Sequence, residues 1–306
     1  WQVCWAYMGG RSPLSPDKQL PYSVIEPTRF LERQQAMRVT WLGHSTLMIE
    51  TDGVRILTDP VFGYASPLIA KAWFERNIPN TAVRDSLPIP DVIVISHDHY
   101  DHLDMETVLF FKEKKVRFIT PLGVTSHLKK WGISESNMFE LDWWDSIEFE
   151  DISFICTPAQ HFSGRLALLD VSKTLWASWV VKSESNNFYF SGDSGYDIHY
   201  KEIGEKHGPF DLVFMDSGQY NERWREVHNM PEEAIQGFLD LQGKVLVPIH
   251  WGMFNLAIHN WYDPIQESVK YSSKYDVELM TPKLGQLVSM DQQNKFEKWW
   301  SNLIDD

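Results

Sequence analysis

The chain has 306 residues, which is enough for one large domain or two, and its 43% of hydrophobic residues is ordinary for a globular protein. The formal net charge of −14 opposes binding to phosphate backbones and docking on anionic membranes by charge alone, so we expect no nucleic acid partner. No run of about 18 apolar residues occurs, and we expect no membrane-spanning helix. The two cysteines, Cys4 and Cys156, are too few for a disulfide framework and fit a reducing compartment.

The beginning of the chain differs from the rest in composition. Residues 1–37 contain several prolines and show no clear periodicity, so we expect an extended arm that wraps over a single domain of residues 38–306. The chain starts at Trp1, which leaves room for a signal or an anchor before it. We expect a cytoplasmic protein, with peripheral attachment to a membrane as the alternative.

Alternation, apolar spacing and turn residues predict the secondary structure. The predicted strands cover residues 38–42, 46–50, 54–57, 92–95, 117–120, 152–157, 187–191 and 244–249. The predicted helices cover residues 105–112, 124–131, 231–239 and 292–303. Asp52 and Gly53 lie between two apolar runs and indicate a hairpin turn. We expect two strand-rich halves, about 38–175 and 176–290, with the functional site between them.

A group of metal-binding residue types follows the predicted strand at 92–95. His97, His99, Asp101 and His102 lie within six residues, and imidazole and carboxylate together suit zinc and similar divalent ions. If the backbone is extended there, His97 and His99 point the same way and Asp101 and His102 project elsewhere, which suggests two neighbouring metals. A chance His-rich surface loop is disfavoured because the group stands at a strand end.

Three other strands end in the same way. His161 follows the strand at 152–157, Asp193 follows 187–191, and His250 follows 244–249. Open sheets build their sites at such strand ends, so we expect these side chains to join the first group. Asp59 ends the strand at 54–57 and either orients a metal-bound histidine or only caps a turn.

The remaining histidines carry weaker signals. His44 lies in a tight turn and is expected to support the site at most, whereas His228 precedes a helix that starts at Pro231, a position suited to binding an anion. His127 is interpreted as structural or solvent-facing. His199 and His207, in polar surroundings, are interpreted as surface residues.

The spacing His97-x-His99-x-Asp101-His102 resembles the signature of the metallo-β-lactamase superfamily. The resemblance implies an α+β fold, a four-layer αββα sandwich with a dinuclear metal site at one edge of its two sheets. Histidine at position 99 resembles the zinc-type hydrolases of that superfamily rather than its flavodiiron branch.

Longer stretches resemble the bacterial relatives of N-acylphosphatidylethanolamine-hydrolysing phospholipase D. They include Gly43-His-Ser45, Leu57-Thr-Asp-Pro60, Pro158-Ala-Gln-His161, Pro231-Glu-Glu-Ala234 and Pro248-Ile-His-Trp-Gly252. The resemblance implies the following ligands: one zinc held by His97, His99 and His161, a second held by Asp101, His102 and His250, and Asp193 bridging both. It also implies that Tyr100 and His228 lie beside the acyl amide of the substrate. The match weakens at residues 217–219.

These residues together predict a dinuclear zinc hydrolase, although iron or manganese can also occupy such N/O sites. The expected enzyme is a phosphodiesterase of the phospholipase D type that uses a metal-bridging hydroxide on N-acylphosphatidylethanolamine-like or other amphipathic substrates. Asp101 is suited to orient the nucleophile as well as to bind metal, and Tyr100 and His228 to donate hydrogen bonds to developing charge. The alternatives are a lactonase or carboxylester hydrolase, or a metal-stabilised binding protein without turnover. The sequence does not predict the oligomeric state, and a homodimer is one of the states that it allows.

Aromatic residues in the loops near these motifs suggest either core packing or an apolar groove for a lipid-like substrate. They are Phe62, Trp73, Phe74, Trp143, Trp144 and Trp251.

Overall fold

The computed structural model of the protein describes residues 14–66, 81–165 and 169–304. The described part of the expected arm contains a short 3-10 helix, Pro27–Phe30, and it buries Ile25 and Phe30. Cys4 lies outside the described residues, whereas Cys156 is buried and unpaired with another cysteine.

The described residues form fourteen strands, six α-helices and several short 3-10 helices. The strands are β1 (Arg38–Gly43), β2 (Thr46–Thr51), β3 (Val54–Thr58), β4 (Val92–Val94), β5 (Arg117–Pro121), β6 (Met138–Leu141), β7 (Ser146–Phe149), β8 (Ile152–Thr157), β9 (Ser178–Lys182), β10 (Asn187–Phe190), β11 (Phe210–Asp216), β12 (Gly243–Ile249), β13 (Glu278–Leu279) and β14 (Leu287–Ser289). The helices are α1 (Thr81–Ser86), α2 (Met105–Phe111), α3 (Thr125–Lys130), α4 (His199–His207), α5 (Pro231–Asp240) and α6 (Asp263–Lys274). The other 3-10 helices are Glu135–Asn137, Glu222–Trp224 and Trp299–Leu303.

The strands make two sheets of seven strands each. The first sheet has the order β14-β1-β2-β3-β4-β5-β6, and the second has the order β13-β12-β11-β10-β9-β8-β7. In the first sheet β1, β2 and β3 are antiparallel, and β3 to β6 are parallel. The predicted hairpin between β2 and β3 is confirmed, with Asp52 at φ 45° and Gly53 at φ 78°, the positive values that a two-residue turn requires.

The two sheets pack face to face, and helices cover both outer faces. Between the sheets, Trp41 of the first and Trp179 of the second belong to one buried apolar cluster. Outside the first sheet, Phe111 of α2 packs with Ile93, and outside the second, Phe238 of α5 belongs to a separate buried cluster. Burial of each such side chain stabilises the fold by about 1.5–3 kcal/mol. The α+β, four-layer αββα architecture is therefore confirmed.

Two sequence predictions differ from the structure. The change of sheet comes after Leu141, earlier than the predicted change of half at residue 175, because β7 and β8 join the second sheet. The predicted closing helix over 292–303 was wrong, since only Trp299–Leu303 is helical, as a 3-10 turn. Asn294 donates to the carbonyl oxygens of Ser289 and Gln292, and such side-chain bonds compete with helix formation.

Candidate metal centre

The ends of strands from both sheets meet where the two sheets lie against each other. His97 to His102 follow β4 of the first sheet, and His161, Asp193 and His250 follow β8, β10 and β12 of the second. The motif is not extended throughout, because the amides of His102 and Leu103 both donate to the carbonyl of His99 and form a turn. That turn separates the earlier histidines from the later ligands.

The first group consists of His97, His99 and His161. His99 Nδ1 lies 2.8 Å from His97 Nε2 and 3.3 Å from His161 Nε2. His161 donates through Nδ1 to the carbonyl of Val227, so its Nε2 carries a free lone pair. Burial, together with neighbouring histidines, lowers the pKa of His97 and of His161 well below the usual value. Neutral imidazole nitrogens thus face one another at hydrogen-bond distance, an arrangement that a cation stabilises.

The second group consists of Asp101, His102 and His250. Asp101 Oδ2 lies 3.4 Å from His102 Nε2 and 3.5 Å from His250 Nε2, and these two nitrogens are 3.3 Å apart. Burial acts to lower the pKa of both histidines, but carboxylates, above all that of Asp193, outweigh it and raise both well above the usual value. The negative charge of the carboxylates thus favours a positive charge at this group, on the histidines or on a bound cation.

Asp193 lies between the two groups. Its Oδ2 is 3.1 Å from His102 Nε2 and 3.8 Å from His161 Nε2, and its Oδ1 is 3.1 Å from His250 Nε2. Oδ1 is buried and accepts no hydrogen bond from the described residues. One carboxylate therefore reaches both groups.

Gly192 allows this close approach of the Asp193 loop to the motif. It adopts φ +56°, and a Cβ at this position would lie 2.5 Å from Ser96 Cβ. No other residue type fits without a shift of the loop that places the carboxylate of Asp193.

The seven predicted ligands are thus brought together into two groups that share Asp193, and their chemistry fits two divalent ions. Neutral imidazole nitrogens and carboxylate oxygens are ligands of zinc, and also of iron and manganese. Their assignment as ligands remains a prediction.

Two predicted supporting residues contact the groups directly. Asp59 Oδ2 accepts from His102 Nδ1 at 2.7 Å and from Ser96 Oγ at 2.5 Å, so it contacts a histidine as expected, and its role in orienting a metal-bound histidine stays a prediction. His44 is fully buried, and its Nε2 lies 2.9 Å from Asp101 Oδ2. Burial and the neighbouring His250 lower the pKa of His44 to about 3, so it is neutral and donates to Asp101 from Nε2.

Asp216 was missed by the sequence interpretation. It ends β11 and is fully buried, and its Oδ2 accepts from His228 Nδ1 at 2.9 Å. Its Oδ1 lies 3.3 Å from His250 Nδ1, so one carboxylate supports a predicted ligand and a predicted substrate residue. A strand-end acidic residue was the available signal, the same pattern that revealed Asp59.

The predicted substrate residues occupy different surroundings. The His228 ring centroid lies 5.2 Å from the centroids of His161 and His250, so His228 borders both groups. His228 precedes the N-terminus of α5, where we predicted an anion site. This helix end is less available to an anion than predicted, because Glu233 already accepts from the backbone amide of Met230. Tyr100 is half-buried, and Arg165 Cζ lies 3.9 Å from its ring centroid.

The aromatic residues predicted near the site are mostly packed. Phe62 and Trp251 are buried in the core, which favours the packing interpretation, and Trp144 stacks on His207 instead of lying at the metal groups. Trp143 is partly buried against the core, and Trp73 and Phe74 lie outside the described residues. An exposed aromatic side chain beside the first group is Phe162, whose ring centroid is 4.7 Å from that of His99.

The interpretation of His199 as a surface residue was wrong. It is buried, its Nε2 lies 3.2 Å from Ser194 Oγ, and burial lowers its pKa to about 4. His207 is half-buried, and His127 is half-buried with its Nε2 3.1 Å from Asp98 Oδ2.

Residues 217–219, where the family resemblance weakens, connect two loops beside His250. Gln219 Nε2 donates to the carbonyl of Phe254, and Gln219 Oε1 accepts from the amide of Leu256. A Cβ on Gly218 would lie 2.0 Å from the carbonyl oxygen of His250. The stretch is therefore a structural connection that also fixes His250.

Residues 54–251 match the family model of the Beta-lactamase superfamily domain. An uncharacterised Mycobacterium tuberculosis protein is 37% identical over 97% of this chain and 80% of its own length. The N-acyl-phosphatidylethanolamine-hydrolyzing phospholipase D 1 of Caenorhabditis elegans is 35% identical over 83% of this chain and 74% of its own length. Among solved structures, Igni18, a metallo hydrolase from Ignicoccus hospitalis, superposes with a TM-score of 0.62 at 20% identity, covering 84% of this chain and 100% of that one. None of the helices in the described residues has the length and hydropathy that a membrane span requires.

Proposed function

Because the chain belongs to the metallo-β-lactamase superfamily and is a metal-dependent hydrolase of its N-acylphosphatidylethanolamine-hydrolysing phospholipase D-like branch, we propose that it is a phosphodiesterase of the phospholipase D type. The proposed substrates are N-acylphosphatidylethanolamine-like or other amphipathic phosphodiesters. The proposed cofactor is a pair of zinc ions. The observation that carries the proposal is the shared carboxylate of Asp193, within 4.0 Å of ligand nitrogens in both groups.

Each proposed ion has a defined set of ligands. His97, His99 and His161 would hold one, the second would be held at Asp101, His102 and His250, and Asp193 would bridge them. When bound, two such ions lower the pKa of a coordinated water to about 7 and polarise the oxygen under attack.

The chain's own residues would contribute position and protons. Asp216 accepts from His228 Nδ1, which fixes the tautomer and leaves the Nε2 of His228 as an acceptor for an N–H or O–H group of a substrate. His44 holds Asp101, whose carboxylate is partly exposed and available to orient a nucleophile. His228 is thus proposed to bind the substrate as an acceptor, and Tyr100 is proposed to donate a hydrogen bond to developing charge.

A lipid-like substrate also needs apolar contact. Phe162 is 39% exposed, and its ring centroid lies 4.7 Å from that of His99. Burying such surface contributes about 25 cal/mol per Å² to binding. This exposed apolar side chain supports an acylated substrate, and an enzyme acting on phospholipid would meet it at a membrane surface.

A hydrolysis screen of the zinc-reconstituted protein tests the proposal. Phosphodiesters of increasing acyl length, carboxylic esters and soluble lactones are compared by kcat/KM, with Asp193→Ala as the control for contaminating activity. We expect kcat/KM to rise with acyl length on phosphodiesters. A flat series, or faster turnover of lactones than of any phosphodiester, would favour the lactonase alternative. No turnover of any class at full metal occupancy would favour the binding protein.

A further inference from the structure

Two loops that carry predicted ligands are joined by three hydrogen bonds, all donated by the second loop to the first. The first loop is the motif segment 97–103, and the second, 161–165, begins with His161. The Gly164 amide donates to Asp98 Oδ1 at 2.7 Å. Arg165 Nη1 donates to the carbonyl of Asp98 at 2.7 Å and to that of Leu103 at 2.8 Å. One guanidinium nitrogen therefore closes the ligand segment at both ends.

The same guanidinium lies over the ring of Tyr100. Arg165 Cζ is 3.9 Å from the ring centroid, well within the distance at which a cation is attracted to an aromatic face. The ring is thus held by the same side chain that closes the ligand segment, which fixes the direction of the Tyr100 hydroxyl.

The contacts need the shape of arginine as well as its charge. A planar guanidinium can donate from its edge to two carbonyls while its face covers a ring, and a lysine ammonium cannot do both. Arg165 is partly desolvated, since burial lowers its pKa against the opposing effects of Tyr100 and Asp98. Partial desolvation of this half-buried cation costs free energy, which is offset by the two carbonyl dipoles and the face of the Tyr100 ring.

We infer that Arg165 is a positioning residue that orients Tyr100 toward the substrate and holds segment 98–103 in register with the His161 loop. The inference rests on the proposed function for the role of the Tyr100 hydroxyl. It predicts that the effect of Arg165 on turnover passes through Tyr100, because a ring without its hydroxyl gains nothing from being oriented.

A double-mutant cycle tests this coupling. Arg165→Lys, Tyr100→Phe and the double variant are reconstituted with zinc, and kcat and KM are measured on the best substrate of the screen. Arg165→Lys alone should lower kcat/KM by about 10–100-fold, the range for residues that orient a site. In the Tyr100→Phe background the same change should cost about threefold or less, well below that range. Metal content, measured by elemental analysis, should stay at the wild-type value in all three.

Hydrogen–deuterium exchange of peptides covering residues 96–104 gives a readout independent of turnover. Arg165→Lys should raise exchange in that segment while other segments stay unchanged. The control is Arg117→Lys, because Arg117 Cζ lies 4.1 Å from the ring centroid of Phe149, a similar cation–ring contact outside the metal groups. It should leave both kcat/KM and exchange in 96–104 unchanged. If the lysine variant lacks a cooperative thermal transition, Arg165→Met, which retains the apolar stem, provides the same cycle.

Equal fold-losses from Arg165→Lys in both backgrounds, with Tyr100→Phe itself impaired, would overturn the inference and leave the proposed function standing. Wild-type kinetics in Tyr100→Phe would overturn the role of Tyr100 in the proposed function, and the coupling with it. Unchanged exchange in 96–104 would refute the connection between the two loops.

Discussion

Asp59→Asn offers a sharp test of how the second metal group is built. Asp59 is fully buried and accepts three hydrogen bonds, from Ser96 N at 2.7 Å, Ser96 Oγ at 2.5 Å and His102 Nδ1 at 2.7 Å. Asparagine has the same shape and tolerates the positive φ of 33° found here. Its amide NH₂, however, replaces one acceptor with a donor, so it must face a donor of Ser96 or His102.

The size of the effect can be worked out in two ways. A buried donor left without an acceptor costs about 1–3 kcal/mol. Loss of the partner that orients a metal-bound histidine typically weakens metal affinity by about 10–100-fold, which equals about 1.4–2.8 kcal/mol. The two figures agree, so we expect Asp59→Asn to lose metal at a chelator concentration about 10–100-fold lower than the wild type does.

The assay is chelator competition followed by elemental analysis. Asp52→Asn is the matched control, because Asp52 also accepts from an amide and a hydroxyl of one serine, Ser185, but lies in the β2–β3 turn. Its metal retention should equal that of the wild type. Wild-type retention in Asp59→Asn, with the fold intact, would refute the reasoning that this carboxylate orients His102.

The remaining predictions concern metal content, turnover and stability. Elemental analysis of the reconstituted protein should find about two divalent ions per chain, as a two-metal site requires, and one or fewer would contradict the two groups. Asp193→Ala should lose metal and activity together, whereas His228→Ala should keep the metal and lose turnover; an equal loss of metal in both would remove the distinction between ligand and substrate residue. Glu50→Gln should lower the free energy of unfolding by about 3–5 kcal/mol, because its carboxylate is 1% exposed and pairs with Arg38 at 2.8 Å and Arg55 at 3.1 Å. Denaturant unfolding measures this, and a loss under about 1 kcal/mol, as for an exposed pair, would contradict it.

Predictions from the sequence were most accurate where neighbouring residues alone determine the backbone conformation. The hairpin at Asp52 and Gly53 follows from backbone conformations that few other pairs adopt. The closing helix failed because Asn294 uses its side chain to bond nearby carbonyls, an alternative that apolar spacing does not reveal.

The residues of the candidate site also differ in how far local sequence predicted them. That His97, His161, Asp193 and His250 belong together could be expected, because each follows a strand and strand ends of a layered fold converge. Asp216 carries the same strand-end signal, but a lone acidic residue of this kind is as often a turn cap as a partner of histidine. Only the distance of 2.9 Å between Asp216 Oδ2 and His228 Nδ1 shows that Asp216 is a partner of histidine.

The sequence by itself determined the donor atoms of the candidate metal centre, because residue chemistry is a local property, and the resemblance of its motifs to a known family implied the fold class. The tertiary structure alone decided that His199 is buried, that Asp216 contacts His228, and that Arg165 contacts Tyr100 and the motif. These depend on distances between residues far apart in the chain. Packing of the two sheets against each other sets those distances, and no local pattern encodes them.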